Sequence, residues 1–308
     1  MASQKSTLLK LENITKTFGN THAVSQASFS VGAGEVVGFL GPNGAGKSTT
    51  IRIIMQEIYP TSGSLEIFGI AGSPAAHRHE AIGYLASDMT YEEGLTGAQY
   101  LIFVNHLRGG GHEDRIKSLC HKLDANLHHR IRTLSRGNKQ KIGLIAAVMH
   151  QPKLLIMDEP TSGFDPLMQQ VFLDLIREHT AAGGGALISS HILSEIQHSA
   201  DRVIFIADGT ILGEQNIHTL LRESPLQVHL RFTSEELAKT AHTKLAKLDG
   251  FEADDIVGDS LRATYRGEVQ VLLKTLATLK PDQCLIQEPE LEEIFMQYYN
   301  KPTEKAAA

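Results

Sequence analysis

The stretch Gly38 to Thr50, GFLGPNGAGKSTT, constrains this chain more than any other. An apolar run, Val36, Val37, Phe39 and Leu40, reads as a buried strand and breaks into glycine. A second run, Thr49, Ile51, Ile53, Ile54 and Met55, reads as a helix. Between them Gly41, Gly46, Lys47 and Ser48 fill the fixed positions of G-x-x-x-x-G-K-[ST], in the strand–loop–helix setting that the pattern requires. Residues without a Cβ let backbone N–H groups turn inward. Those donors and the helix N-terminus attract phosphate. Lys47 reaches outer phosphates, and the Ser48 hydroxyl is a ligand for Mg²⁺.

Three further places carry chemistry. LLIMDEP sets Asp158 and Glu159 at the end of an apolar strand. Ligands of open parallel sheets sit at the carboxyl ends of strands. Asp158 is placed to hold Mg²⁺, and Glu159 to orient or deprotonate an attacking water. ALISS is the next strand and ends at His191, a hydrogen-bond donor for a terminal phosphate. TLSRGNKQK heads a helix on which Ile142, Ile145, Ala146 and Met149 share a face. There Ser135, the Gly137 backbone and the helix N-terminus form a second phosphate-binding end. A single small lobe is not expected to carry this end onto its own glycine loop. Two copies packed head to tail would each place it over the other's nucleotide.

The pattern along the chain predicts an α/β region interrupted by an all-helical insert at roughly 87–150. Residues 8–14 read as a strand, and 28–40 as a hairpin-like approach to the loop. Thr96 caps one helix, a second runs from Glu113 to about Leu123, and a third follows Ser135. Asp165 and Pro166 open a helix in the N-cap and N1 arrangement. RVIFIADGTIL reads as a hairpin with an Asp-Gly turn. Beyond about 222 the pattern becomes βαββαβ, which suits a small ferredoxin-like sandwich. The expected domains are 7–221 and 222–300, with 301–308 as a disordered tail.

Composition narrows the class. The net charge of −6 gives no global reason to expect nucleic acid as a partner. Cys120 and Cys284 form neither a disulfide framework nor a metal pattern, which fits a reducing compartment. No apolar run is long enough to span a bilayer, and the N-terminal stretch does not read as a signal peptide. Work at a membrane therefore requires a partner that holds the chain there. The paired histidines His77/His79 and His128/His129 read as surface residues.

In order, GPNGAGKST, LSRGNKQK, LLIMDEPTSGFD and ISSH resemble the nucleotide-binding subunit of an ABC transporter, over about residues 7–220. The resemblance implies a P-loop NTPase fold of the ABC ATPase type with a helical signature subdomain, plus the small C-terminal α+β domain. It implies an ATPase with ATP and Mg²⁺ as cofactors. Gly41, Pro42, Asn43, Gly44, Ala45, Gly46, Lys47, Ser48 and Thr49 would cradle the phosphates. Phe18 matches the aromatic that stacks on adenine, and Asp165 the loop that contacts a partner subunit. Ser135 and Gly137 match the signature, His191 the switch histidine, and Lys47 and Glu159 the catalytic pair with it. The implied partners are a second copy or a paralogue, and an integral membrane permease. The implied location is the cytoplasmic face of the membrane, reached through that permease.

Two departures stand out. Arg136 and Asn138 replace the usual glycine and glutamine of the signature, a variant that resembles exporter ATPases with a separate membrane subunit. EPELEEIFMQYY resembles the closing segment of that group. In IGYLASD, Ser87 stands where the family usually has glutamine as a contact to Mg²⁺ or water. Serine is shorter and neutral, so it is expected to act through water, or to leave the role to Asp88. A regulatory subunit with weak hydrolysis is one alternative that this raises. A non-transporter ABC ATPase is disfavoured by the acidic charge and by the absence of a long coiled-coil insertion or a second cassette. An unrelated glycine-loop kinase or GTPase is disfavoured by LSRGNKQK and SSH.

Overall fold

The structure is a computed structural model and describes residues 6–71 and 80–289, without the side chains of 193–195. His77, His79, the tail 301–308 and nearly all of EPELEEIFMQYY lie outside the described residues. Contacts divide the chain into two units, Met1–Gln215 and Asn216–Ala308. The division falls just before the expected 221/222, ahead of a short helix, Ile217–Glu223.

The first unit contains two sheets. β1 (Thr7–Phe18) and β2 (Thr21–Gly32) pair antiparallel, and β4 (Ser62–Ile67) and β5 (Ile70–Ala71) complete the order β2-β1-β4-β5. The second sheet contains β3 (Val36–Leu40), β6 (Ile82–Leu85), β7 (Leu154–Asp158), β8 (Gly185–Ser190), β9 (Arg202–Ala207) and β10 (Thr210–Asn216). Its order is β10-β9-β3-β8-β7-β6, with β9, β3, β8, β7 and β6 parallel. β3, β7 and β8 are buried at every position, as a sheet covered on both faces requires. Residues 28–40 are therefore not a hairpin. β2 ends one sheet and β3 starts the other, and the hairpin partner of β2 is β1. Asp208 and Gly209 join β9 to β10 with φ of 47° and 75°, the positive values that a two-residue turn of this hand needs.

Helix α1 (Lys47–Ile54) lies between the sheets, against β2 and β7. Ile51, Ile53 and Ile54 share one core cluster with Leu9, Leu11, Ile14 and Val24 from one sheet and Phe39, Ile156, Leu187 and Ile204 from the other. Burying such a side chain fully contributes about 1.5–3 kcal/mol. The start of α1, and so the glycine loop, is anchored by residues that carry no chemistry.

Between β6 and β7 come α2 (Gly97–Leu107), α3 (Glu113–Lys122) and α4 (Arg136–Val148). Thr96 and Gln99 close a reciprocal capping box at the start of α2. Ser135 caps α4, its Oγ accepting from Asn138 N. Residues 142–148 of α4 are buried without interruption, which ties this helix to β6 and α2. α5 (Pro166–Ala181) starts at the Asp165 cap, whose carboxylate accepts from Met168 N at 2.8 Å, and α6 (Leu193–Ser199) follows β8.

The second unit opens with α7 (Ile217–Glu223) and continues β11 (Leu226–Arg231), α8 (Glu235–Leu245), β12 (Phe251–Val257), β13 (Ser260–Tyr265), α9 (Val269–Leu279) and β14 (Gln283–Gln287). The sheet order β12-β13-β11-β14 is antiparallel throughout, the arrangement of a split βαβ sandwich. Val228, Leu230, Leu261 and Ala263 face Ala238, Ala241, Leu245, Leu272 and Leu276 of the helices in its own core.

Candidate functional site

The glycine loop leaves β3 at the carboxyl edge of the parallel sheet. Gly46 has φ of 102°, and a Cβ there would meet Ala23 O at 2.6 Å, so only glycine brings the loop this close to β2. Lys47 is 6 % exposed and folds back into the loop. Its Nζ donates to Gly41 O at 2.6 Å and to Pro42 O at 3.2 Å. Burial pushes the Lys47 ammonium below its ordinary pKa, and the carboxylates of Glu159 and Asp158 oppose that shift.

Asp158 ends β7, 3 % exposed. Ser48 Oγ donates to its Oδ2 at 2.8 Å and Ser87 Oγ to the same oxygen at 3.2 Å, while Ser189 Oγ donates to Oδ1. Three hydroxyls replace the water that a buried carboxylate gives up. Ser87 thus reaches the predicted metal-binding acid directly, and Asp88, the alternative for its role, lines the same cavity as Ser87. Ser48, Ser87 and Asp158 form an all-oxygen donor set, the chemistry that a hard divalent cation such as Mg²⁺ takes.

Glu159 follows at φ of 54°, a left-handed backbone that a non-glycine residue holds only against strain. Its N–H donates to Ser189 O at 3.1 Å, and Gln140 Nε2 donates to Glu159 O at 3.2 Å and Pro160 O at 3.1 Å. The side chain is aimed accordingly: Oε2 lies 2.5 Å from His191 Nδ1 and Oε1 lies 4.0 Å from Lys47 Nζ. These groups line one cavity of about 590 Å³ with Asn43, Gly44, Ser87, Asp88 and Ser162.

The signature sequence meets this cavity in an unexpected way. Gly137 packs on the loop after β7, where a Cβ would meet Gly163 O at 2.6 Å. Arg136 lines the cavity of its own chain's glycine loop, a neighbour that the sequence reading did not assign to it. Ser135 does not: it lines a separate hollow of about 420 Å³ with Asn126, His129, Thr133 and Asn138. Phe18, half exposed at the end of β1 with Lys16 Nζ 5.0 Å from its ring centre, and Asp165, at the head of α5, also stand outside the cavity lining.

Sequence reasoning missed Ser189 and Gln140. Ser189 stood in the quoted ISSH, but nothing in a hydroxyl near a strand end announces a bond to the neighbouring strand's acid. Gln140 is 6 % exposed on α4, and its burial follows only from the two carbonyls that β7's end presents to it.

The ABC transporter family model matches residues 24–162. An ABC transporter ATP-binding protein of Bacillus subtilis, YdbJ, is 35% identical over 214 residues, covering 68% of this chain and 70% of that protein. The bacitracin transport ATP-binding protein BcrA of Enterococcus faecalis is 33% identical, covering 69% and 70%. A solved ATP-binding subunit of an ABC transporter superposes with a TM-score of 0.64 at 28% identity, over 70% of this chain and 92% of that one. The glycine loop, Glu159 and His191 thus share one cavity, with Asp158 bonded to Ser48 of the loop, in a cassette fold: the chain belongs to the family of ABC transporter ATP-binding proteins.

Proposed function

We propose that this chain hydrolyses MgATP as one half of a head-to-tail pair and drives export through a separate membrane permease. The observation that carries the reading is the convergence of Lys47, Ser48, Glu159 and His191 on one cavity at the carboxyl edge of the sheet, with Asp158 bonded to Ser48. The backbone N–H groups of 43–49 and the positive end of α1 bind the phosphates. Lys47 exchanges its loop carbonyls for phosphate oxygens, a charge-assisted bond that favours the bound state. Ser48, Asp158 and Ser87 hold Mg²⁺, which screens phosphate charge when bound. Glu159 orients and deprotonates the water that attacks the terminal phosphorus. His191, released from the Glu159 carboxylate, donates to a terminal phosphate oxygen as charge develops there. Phe18 stacks on the base, and Asp165 meets the second copy.

Ser135 lines a hollow separate from the glycine-loop cavity, which supports a role over the nucleotide of a second copy or a paralogue. Among the described residues no helix is long and apolar enough to cross a membrane, so the permease supplies the attachment on the cytoplasmic face. A relative named for bacitracin transport supports a transported cargo. Phosphate release from MgATP tests the reading. Removing a general base lowers turnover by roughly 10²–10⁴-fold, so Glu159→Gln is expected to fall in that range with ATP binding retained. Equal turnover in wild type and Glu159→Gln overturns the assignment. Co-purification of a polytopic membrane protein separates a transporter from a non-transporter ATPase.

A further inference from the structure

Glu159 holds a backbone that its place in the sequence disfavours. Its φ of 54° lies in the left-handed region, and Pro160 follows it. A residue before proline is steered toward extended backbone, so this φ is strained on two counts. Such a conformation persists only where surrounding contacts over-determine it. Here Glu159 N–H donates to Ser189 O at 3.1 Å, and Ser162 N–H donates to Glu159 O at 3.2 Å. Gln140 Nε2 donates to Glu159 O at 3.2 Å and to Pro160 O at 3.1 Å.

Gln140 differs from the other tethers in where it comes from. Ser189 lies on the neighbouring strand and Ser162 in the same turn, whereas Gln140 reaches in from α4. A primary amide has two N–H hydrogens, and the consecutive carbonyls of Glu159 and Pro160 take both. The turn that carries it is held on several sides. Gly137 packs on Gly163, Asn138 Nδ2 donates to Asn126 O at 2.7 Å, and Tyr91 Oη donates to Lys139 O at 2.7 Å. The amide is thus a strut between a fixed helix and the backbone just after Asp158. Turning that backbone would strand a buried donor, which is costly. The side chain of Glu159 leaves this backbone toward Lys47 and His191, so its direction depends on the strut.

We propose that Gln140 is a positioning residue for hydrolysis: it fixes the backbone of its own chain's Glu159 and so aims the carboxylate at the attacking water. It touches no reacting atom. This rests on the reading of Glu159 as general base given above. In the proposed pair, the head of α4 then supplies Ser135 to the second copy's nucleotide and Gln140 to its own chain's glutamate.

The test is phosphate release from MgATP by the full chain. Gln140→Leu removes both donors and Gln140→Glu at least one, each at nearly constant size. Misplacing a catalytic group by an ångström costs up to about a hundredfold, so kcat is expected to fall roughly ten- to hundredfold. ATP and ADP affinities are expected to stay within about twofold, because the loss falls on the chemical step. The double variant Glu159→Gln/Gln140→Leu is expected to turn over as slowly as Glu159→Gln alone, since a residue that acts through Glu159 has nothing left to aim. Unchanged kcat, a loss of ATP affinity that matches the loss of turnover, or a double variant slower than Glu159→Gln overturns the proposal. Failure of both Gln140 variants to fold, read by circular dichroism, also overturns it, because Gln140 then holds the fold rather than the glutamate. If Glu159→Gln itself turns over like wild type, the general-base reading fails instead.

Discussion

Asp158 holds its carboxylate among the hydroxyls of Ser48, Ser87 and Ser189, and each hydroxyl comes from a different segment of the chain. Ser87 is the departure from the family pattern that the geometry explains best. Its Oγ shares Oδ2 with Ser48, which places it beside the residues proposed to hold Mg²⁺. One neutral hydrogen bond contributes about 0.5–1.5 kcal/mol. Ser87→Ala is therefore expected to raise the Mg²⁺ concentration for half-maximal ATP turnover by roughly two- to tenfold, read from a metal titration of phosphate release. An unchanged titration removes Ser87 from the metal site. His150 gives a second prediction at this scale. Its Nε2 donates to Ile82 O at 3.2 Å, and its buried Nδ1 has no partner among the described residues. Burial, with Arg108 and His112 nearby, depresses its pKa from 6.5 to about 4. The unfolded chain takes up a proton there below pH about 6.5 while the folded chain does not. Its contribution to stability is thus complete above that pH and lost as pH falls toward about 4. Melting temperatures between pH 7 and 4 are expected to fall less steeply for His150→Gln, and parallel curves contradict the assignment. The residues of the glycine loop and the acid pair were legible because their spacing is itself the chemistry. Ser189 and Gln140 were not, because their roles depend on which strand and which loop lie opposite them.

The elements that aim the site are α1, α4 and the loop between β7 and α5. Strand and helix identities followed from periodicity and caps: Thr96, Ser135 and Asp165 each stand at the head of a helix and accept from its first turn. The error over 28–40 has a physical source. Two apolar runs joined by Gly32–Glu35 look alike whether the chain turns back into one sheet or steps across to another, and only the partners of β2 and β3 decide. The contact of α4 with the loop at Gly163 was also hidden, since it joins residues far apart in sequence. Gly137→Ala tests it. Alanine is the better helix former by about 1 kcal/mol in a helix interior. Forced into a backbone oxygen at 2.6 Å, the same methyl costs about 1–3 kcal/mol. The clash outweighs the propensity, so melting temperature is expected not to rise and ATP turnover to drop at least about tenfold. A more stable variant with unchanged turnover would show that the contact does not matter.

Over the whole molecule, the chain consists of a cassette and a second unit with its own core, each describable by itself. The βαββαβ order of the second unit was readable from the alternation of strand and helix patterns, whereas its strand order needed the pairings of β11 with both β13 and β14. In the proposed head-to-tail pair, the second copy completes the site. Lys47, Ser48, Glu159 and His191 meet in one chain, but Ser135 opens onto a different hollow. A ligand that bridges two copies stabilises their association by mass action. The most direct measurement is the mass of Glu159→Gln by light scattering, with and without MgATP, alongside Glu159→Gln/Ser135→Arg. A shift from monomer to dimer only with MgATP, lost when Ser135 is replaced by the bulky arginine, is the predicted result. Nucleotide-saturated Glu159→Gln that remains a monomer, or a dimer indifferent to Ser135, would contradict the shared site.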